Sequence, residues 1–417
     1  MRITILSAGS QGDIQPYLAL AVGLKNAGYH VRFAANVNFA GFVARYGVDF
    51  FPIKVDSFAF VQTERGKAWL ESVSIPSLIV NTTRAVRSVA PQIVSDVLDA
   101  CRETDLILYH SFALPFIYFI GKQFDIPCIP TSIDPLPNGT HPALPINIHW
   151  NRSRAFNLLT HRIVDEFAWR VYLPIVREAW KGKVNIPAIN PNQQMLKDER
   201  LILSGYSSSV LPRPVDLPKQ IVITGYWFLQ SPSGWEPDPA LLHFIDCDQR
   251  PIYVGFGSMG NAAKNELTAS AVLRALAKTG QRAVLGAGWS ELGTDKKLPD
   301  TVFMLKSVPH GWLFPQMSVV VHHAGPGTTA AVLSAGVPNV VVPHFASQFF
   351  YAQRVTELGI APKPIPRKNL SAERLSEAIQ LAIQDRTIND KATRIGEKIR
   401  AENGVRDAIQ ALRPYLC

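Results

Sequence analysis

The sequence predicts an α/β fold built from two halves of the same rhythm. Three observations carry this. Short apolar runs alternate with longer stretches of helical spacing, the alternation occurs twice, and in each half the first apolar run ends in a glycine turn that opens a helix. Strands alternating with helices give parallel βαβ units.

In the first half, residues 2–8 (RITILSA) read as a strand and 14–28 (IQPYLALAVGLKNAG) as a helix. Leu18, Val22 and Leu24 fall close together on one helical face, and Gly28 is a suitable stop. Residues 30–36 (HVRFAAN) read as the second strand, 91–104 as a helix, 105–111 (DLILYHS) as a strand, 113–127 as a helix and 128–133 (CIPTSI) as a strand. The second half repeats the pattern. Residues 250–259 (RPIYVGFGSM) enter a glycine turn, and 265–280 form a helix ending at Gly280. Strands follow at 281–288, 301–308, 317–325 and 339–345, with helices at 328–336 and 348–359. Between the halves, residues 211–239 hold six prolines, a composition that suits a linker. The expected domains are 1–215, a linker at 216–240, a second domain at 241–395, and a C-terminal helical segment at 396–417 returning to the first. In open α/β sheets ligands bind beyond the carboxyl ends of the strands, so two such domains are expected to face a central cleft.

Composition bounds the function. With 47% hydrophobic and 18% charged residues, the 417-residue chain has material for sizeable cores and is not mainly disordered. The net charge is +9 (42 basic, 33 acidic residues), which favours anionic partners. Residues 1–215 carry 21 basic and 16 acidic groups and the remainder 21 and 17, so no basic tail or stripe speaks for nucleic acid. Cys101, Cys128, Cys247 and Cys417 are far apart, without zinc-ligand spacing. The start lacks the apolar core of a signal peptide, and no apolar run is long enough to span a membrane. A cytoplasmic protein is expected, with peripheral contact at the inner membrane face left open.

Three turns bear chemistry. Residues 307–353 contain no Asp, Glu, Lys or Arg, yet hold His310, His322, His323 and His344. Within them HHAGPGTTAA runs from strand to helix. Gly325 and Gly327 allow close backbone approach, Thr328 and Thr329 offer caps and hydroxyls, and a helix N-terminus binds phosphate without a formal charge. A buried parallel strand would also be uncharged, but adjacent histidines at a glycine turn suit packing poorly. The turn GFGSMGN (255–261) places Ser258 where a phosphate or ribose could sit, or is a plain βα turn. The turn GSQGDIQP (9–16) departs from the dinucleotide fingerprint GxGxxG. Its Asp13 is either an N-terminal capping carboxylate or a general base.

Taken together, GSQGDIQP (9–16), TGYWFL (224–229), YVGFGSM (253–259), VPHGWLFPQ (308–316) and residues 322–348 resemble, in order and along nearly the whole chain, the inverting nucleotide-sugar-dependent glycosyltransferases of the GT-B fold. The likeness is to the sterol glucosyltransferases and to the macrolide and glycopeptide-antibiotic enzymes. It implies two Rossmann-like domains, the first taking the acceptor and the second a UDP- or dTDP-sugar. That donor is a co-substrate, with no separate cofactor and no metal. Asp246–Asp248 only superficially suggests metal ligation.

Residue by residue, the resemblance makes Asp13 the base that deprotonates the acceptor hydroxyl. His110, at a strand end, falls near the place where plant relatives carry the supporting carboxylate of a His–Asp pair; it either assists Asp13 or is a packed strand-end histidine. The donor falls to Gly12, Ser258, Val308, His323, Gly325, Gly327, Thr328, Ser347 and Gln348. His323, the glycines and Thr328 would cradle the phosphates, and Val308 would grip the base through its backbone. Three departures bear on the donor: Ser347 stands where most relatives carry a sugar-binding Asp, Ala331 where plant relatives carry a ribose-binding Glu, and Gly311 alters the VPHDW motif. They leave the sugar and the choice of UDP or dTDP open. Acceptor contacts are expected from 134–150 and from the aromatic and basic residues of 155–183, which also read as an ordinary helix with a solvated basic face. Two other readings remain: a nucleotide-sugar epimerase, and a non-catalytic donor-binding accessory protein.

Overall fold

The structure, a computed structural model, describes all residues except 57–58, 60–62, 65, 67–74, 112–113, 137–152, 247–248, 257–261, 287–297, 306, 345–346 and 417. The chain forms two compact units: Met1–Leu229 with Asn403–Cys417, and Gln230–Glu402.

The first unit is centred on a seven-stranded parallel sheet. Its strands are β1 (Arg2–Leu6), β2 (His30–Asn36), β3 (Asp49–Ile53), β4 (Leu106–His110), β5 (Cys128–Ser132), β6 (Ile202–Ser204) and β7 (Ile221–Ile223), in the spatial order β3-β2-β1-β4-β5-β6-β7. β1 lies centrally, with Leu6 opposite Ala34 on one side and Tyr109 on the other. Strands β4 and β5 are buried at every residue. Helices cover both faces of such a sheet, and so its strands read as unbroken apolar runs. One layer holds the helix Gln11–Asn26, whose Ile14, Leu18 and Leu24 are fully buried, and the C-terminal helix Gly404–Leu412 with Ala408 and Leu412. Gly23 is required where these helices meet, because a Cβ there would lie 2.3 Å from Val405. The other layer holds the helices Ile75–Ala100 and Arg154–Trp180, which bury Val94, Val97, Trp169 and Trp180.

The second unit carries a five-stranded parallel sheet of β8 (Ile252–Gly255), β9 (Ala283–Leu285), β10 (Val302–Met304), β11 (Val320–His322) and β12 (Asn339–Val341), ordered β10-β9-β8-β11-β12. In register, His322 pairs with Gly255 on one side and Val341 on the other. The helices Ala262–Thr279, Pro326–Ala335, Ser347–Glu357, Ala372–Gln384 and Arg386–Ala401 complete it.

Some boundaries differ from the sequence expectation. The proline-rich stretch is not all linker: residues 221–223 form β7, hydrogen-bonded in register with β6, and the units divide at Leu229/Gln230. Among the C-terminal residues, only those from Asn403 belong to the first unit. The helix expected from residue 91 begins at Ile75 and carries Pro91 in its interior. Among the described residues, no helix is long and apolar enough to cross a membrane.

Candidate active site

In the first unit the candidate turn Gly9–Pro16 follows β1. Gly9 adopts φ +137°, which favours glycine, and a Cβ on it would sit 2.4 Å from the Asp13 carboxylate. Ser10 caps the helix and Gly12 lies in its first turn. Asp13 Oδ2 accepts hydrogen bonds from the Ser10 N–H (2.7 Å) and the Ser10 hydroxyl (2.8 Å). The capping role is therefore real. It engages one carboxylate oxygen; Oδ1 makes no hydrogen bond among the described residues, and Asp13 itself is half-buried. Capping and base chemistry are thus compatible in one side chain.

His110 ends β4, the strand next to β1, and is 4% exposed. Burial holds its pKa below the ordinary imidazole value, while the negative charge of Asp13 and a backbone contact with Ala8 pull the other way. The charge of Asp13 is therefore felt at His110. The His110 ring lies 5.2 Å from that of Tyr17, which stands edge-on to Trp227 at 5.7 Å and donates its hydroxyl to the Thr131 carbonyl at 3.1 Å. Composition gave no hint of this buried aromatic support, because its members lie far apart in sequence.

In the second unit the turn after β11 is built by its first histidine. His322 is wholly buried: Nε2 bonds Asn339 Oδ1 at 2.9 Å, and Nδ1 accepts the Ala324 N–H at 3.2 Å. Asn339 spends its amide N–H on the Val337 carbonyl, so His322 carries its proton on Nε2. Burial drives the His322 pKa down to about 3, so the ring is neutral. Ala324 is held at φ +63°, a left-handed conformation costing a non-glycine residue roughly 1–2 kcal/mol. Strain of this kind persists where surrounding bonds fix it, and His322 is the fixing group. This histidine thus has a structural part, not a ligand-binding one. Both Asn339 and the strained Ala324 escape sequence reasoning.

Beyond the turn, Gly325 caps the helix Pro326–Ala335 with Pro326 at its first position. Thr328 and Thr329 do not cap it by side chain, since they lie inside the first turn; Thr329 is buried with Oγ1 unpartnered. The first pair from N–H to carbonyl runs from Thr329 to Gly325 (2.8 Å), so the N–H groups of Gly327 and Thr328 have no partner within the helix. Pro326 has no N–H to leave unpaired.

The His323 ring lies against this helix start. A Cβ on Gly325 would approach its Nε2 to 2.4 Å. Burial lowers the His323 pKa to about 4, opposed by the nearby Gly255 backbone. His344, which follows β12, has its ring 6.3 Å from His323 and 5.5 Å from Phe256, and burial lowers it to about 3, with Arg367 and His323 adding to the effect. Its backbone N–H donates to Gln348 Oε1 at 2.8 Å. Gln348, 6% exposed, thus holds the segment before its own helix, and Ser347 opens that helix. Val308 packs at the rim of a cluster with Leu305, Leu313 and Phe314. His310 stacks on Phe314 at 4.4 Å, and burial takes it down to about 4.

The second unit therefore gathers His323, Gly325, Gly327 and Thr328 at one helix start, with Ser347 and Gln348 on the segment after the neighbouring strand. Ser258, Cys247, Asp248 and residues 137–150 of the stretch expected to contact the acceptor lie outside the described residues.

Comparison with known proteins accords with this anatomy. Residues 3–105 match the glycosyltransferase family 28 N-terminal domain, and residues 270–413 match the C-terminal domain of proteins like erythromycin biosynthesis protein CIII. The sterol 3-beta-glucosyltransferase UGT80B1 of Arabidopsis thaliana is 33% identical over 437 residues, covering 100% of this chain and 68% of that protein. The sterol 3-beta-glucosyltransferase of Emericella nidulans is also 33% identical, over 99% of this chain, but the chain spans only 30% of its length. Among solved structures, the glycosyltransferase of kitacinnamycin aligns with a TM-score of 0.72 at 20% identity over 100% of this chain and 99% of that one. The glycosyltransferase SsfS6 of Streptomyces sp. SF2575, complexed with thymidine diphosphate, aligns at 0.64 and 19% identity over 99% of both. Two parallel sheets arranged in this way, and a relative one third identical along the whole chain, place the protein in the GT-B glycosyltransferase family that includes the sterol 3-beta-glucosyltransferases.

Proposed function

We propose that this protein is an inverting glycosyltransferase that moves a sugar from a UDP- or dTDP-linked donor to a hydroxyl of a lipophilic small molecule, with sterol-like alcohols the first acceptors to try. The observation that carries the reading is the helix start at Gly325–Thr328. Its unpaired Gly327 and Thr328 N–H groups, the positive end of the helix and the buried His323 ring form a cradle for a diphosphate. A leaving diphosphate gains negative charge as the glycosidic bond breaks, and fixed dipoles stabilise that charge without reorganising.

In this reading the acceptor oxygen attacks the anomeric carbon as the bond to the diphosphate breaks on the opposite face. The hydroxyl proton passes to Asp13, whose Oδ1 is not engaged by the helix cap. His110 supports the carboxylate electrostatically and becomes more readily protonated as Asp13 carries its charge. Ser347 donates and accepts hydrogen bonds where a carboxylate would only accept, which suits a sugar differing from glucose in that contact. The names of the sterol-acting relatives support the acceptor class. Such an acceptor partitions into lipid, so peripheral contact with a membrane goes with the reading.

The test is ligand-induced stabilisation with UDP, dTDP and their sugars. A donor that binds only the folded state raises the unfolding temperature. Stabilisation by one nucleotide class, lost in His323→Ala, supports the cradle; no response to any nucleotide sinks the reading.

A further inference from the structure

The residue that ends β2 is Asn36, 6% exposed. A primary amide is costly to bury unless its polar ends are paired. Both ends of Asn36 are. Nδ2 donates to the Val55 carbonyl at 3.0 Å, just past β3, and Oδ1 accepts the Gly9 N–H at 3.3 Å. The first bond ties β2 to the segment after its sheet neighbour, which is ordinary bracing. The second reaches into the turn that carries Asp13. A donor is needed at the Val55 end and an acceptor at the Gly9 end, a pair of roles that an amide side chain fills.

That turn needs an outside hold. The ladder between β1 and β2 runs on to Ser7, whose N–H donates to the Ala34 carbonyl at 3.0 Å. At Gly9 the backbone turns to φ +137°, and a residue without Cβ has little preference of its own to fix it there. The Asn36 bond falls on this residue. The next N–H along, that of Ser10, goes to Asp13 Oδ2 at 2.7 Å. Two consecutive amides are thus bound by two side chains, Asn36 and Asp13. Gly9 also lies so close to the carboxylate that a Cβ on it would meet Asp13. A shift of Gly9 therefore carries Ser10 and the Asp13 carboxylate with it. On the other side of β1, His110 ends β4 and contacts the Ala8 backbone. The turn after the central strand is held by the last residue of each neighbouring strand.

We propose that Asn36 is a positioning residue, which sets the place of the Asp13 carboxylate by fixing the Gly9 amide. Its effect on sugar transfer rests on the reading of Asp13 as the base; its effect on the place of Asp13 does not.

The test has two readouts on the full chain. The first is the His110 pKa in NMR titration, which the Asp13 charge raises. Asn36→Ala moves it down, in the same direction as Asp13→Asn. The double variant Asn36→Ala, Asp13→Asn moves it no further than Asp13→Asn alone. The second is turnover. A displacement on the order of 1 Å at a reacting group costs up to about 100-fold, so Asn36→Ala lowers kcat about 10- to 100-fold with donor affinity unchanged. Asn36→Asp keeps an acceptor for the Gly9 N–H and recovers most of that loss at pH 8. A cooperative thermal transition confirms the folding of each variant; if Asn36→Ala fails to fold, Asn36→Ser, too short to hold Gly9, takes its place. A His110 pKa unmoved by Asn36→Ala, or moved further in the double variant, overturns the proposal. So does wild-type kcat in Asn36→Ala where Asp13→Asn is inactive, or Asn36→Asp turning over no better than Asn36→Ala. Full turnover in Asp13→Asn refutes the base instead, and the His110 readout then decides the positioning alone.

Discussion

Replacing Gly325 with alanine isolates the role of His323. The backbone there, φ −66° and ψ 145°, is open to any L residue, so the fold tolerates the change. The new methyl, however, would lie 2.4 Å from His323 Nε2 and 3.2 Å from Cδ2 and Cε1. Carbon contacts are comfortable near about 3.5 Å, so the ring must retreat by on the order of 1 Å. That displacement is enough to break a hydrogen bond to a diphosphate. A hydrogen bond to a charged group is worth about 1.5–3 kcal/mol, which predicts a loss of about 10- to 150-fold in donor affinity. Titration calorimetry with UDP and dTDP sugars reads it directly. The double variant Gly325→Ala, His323→Ala supplies the control: once the ring is gone the methyl meets nothing, so the double variant binds like His323→Ala alone. Wild-type donor affinity in Gly325→Ala would refute the reasoning, as would a double variant much weaker than His323→Ala.

Further predictions follow from the same geometry. Asp13→Asn keeps a capping group but removes the proposed base, so turnover falls about 10²- to 10⁴-fold with donor affinity unchanged, whereas Asp13→Ala also loses about 1 kcal/mol of stability in thermal unfolding. In NMR titration, Asp13→Asn moves the His110 pKa further down, because the carboxylate charge that raises it is gone; an unmoved His110 would break the proposed link. Ala324→Gly relieves the left-handed strain and stabilises the protein by about 1 kcal/mol, seen as a raised denaturation midpoint. His310, His322, His323 and His344 are held at about 4, 3, 4 and 3, against roughly 6.5 in the unfolded chain. The unfolded state therefore binds protons first as the pH falls. The stability of the second unit is full above about pH 6.5 and declines towards pH 4, by up to about 1.4 kcal/mol per pH unit for each histidine. Denaturant midpoints that stay flat from pH 7 to 5 would contradict this.

The parallel strands were legible because burial on both faces makes them continuous apolar runs, as in β4 and β8. The turns after β1 and β11 were legible because their partners lie close in sequence: Asp13 reaches Ser10, and His323 lies over Gly325. Contacts across the chain were not. His322 meets Asn339 seventeen residues on, and Tyr17 reaches Thr131 over 114 residues. That is why adjacent histidines looked ill-suited to packing when one of them is a brace. Short strands were also lost. The three residues of β7 sit inside a proline-rich stretch whose composition says linker, and only pairing with β6 makes them a strand. The expected threonine caps failed for a local reason: Pro326 at the first position moves the helix start upstream of both threonines.

The proposed sugar transfer with Asp13 as base is tested most directly by mixing wild type and Asp13→Asn with nucleotide sugars and a free sterol in detergent micelles. Mass spectrometry counts the sugar added, and NMR of the product reads the anomeric configuration. The account predicts one sugar per acceptor, configuration opposite to the donor's, and near-complete loss of product in Asp13→Asn at undiminished donor binding. Wild-type turnover by Asp13→Asn, or retained configuration, would contradict it.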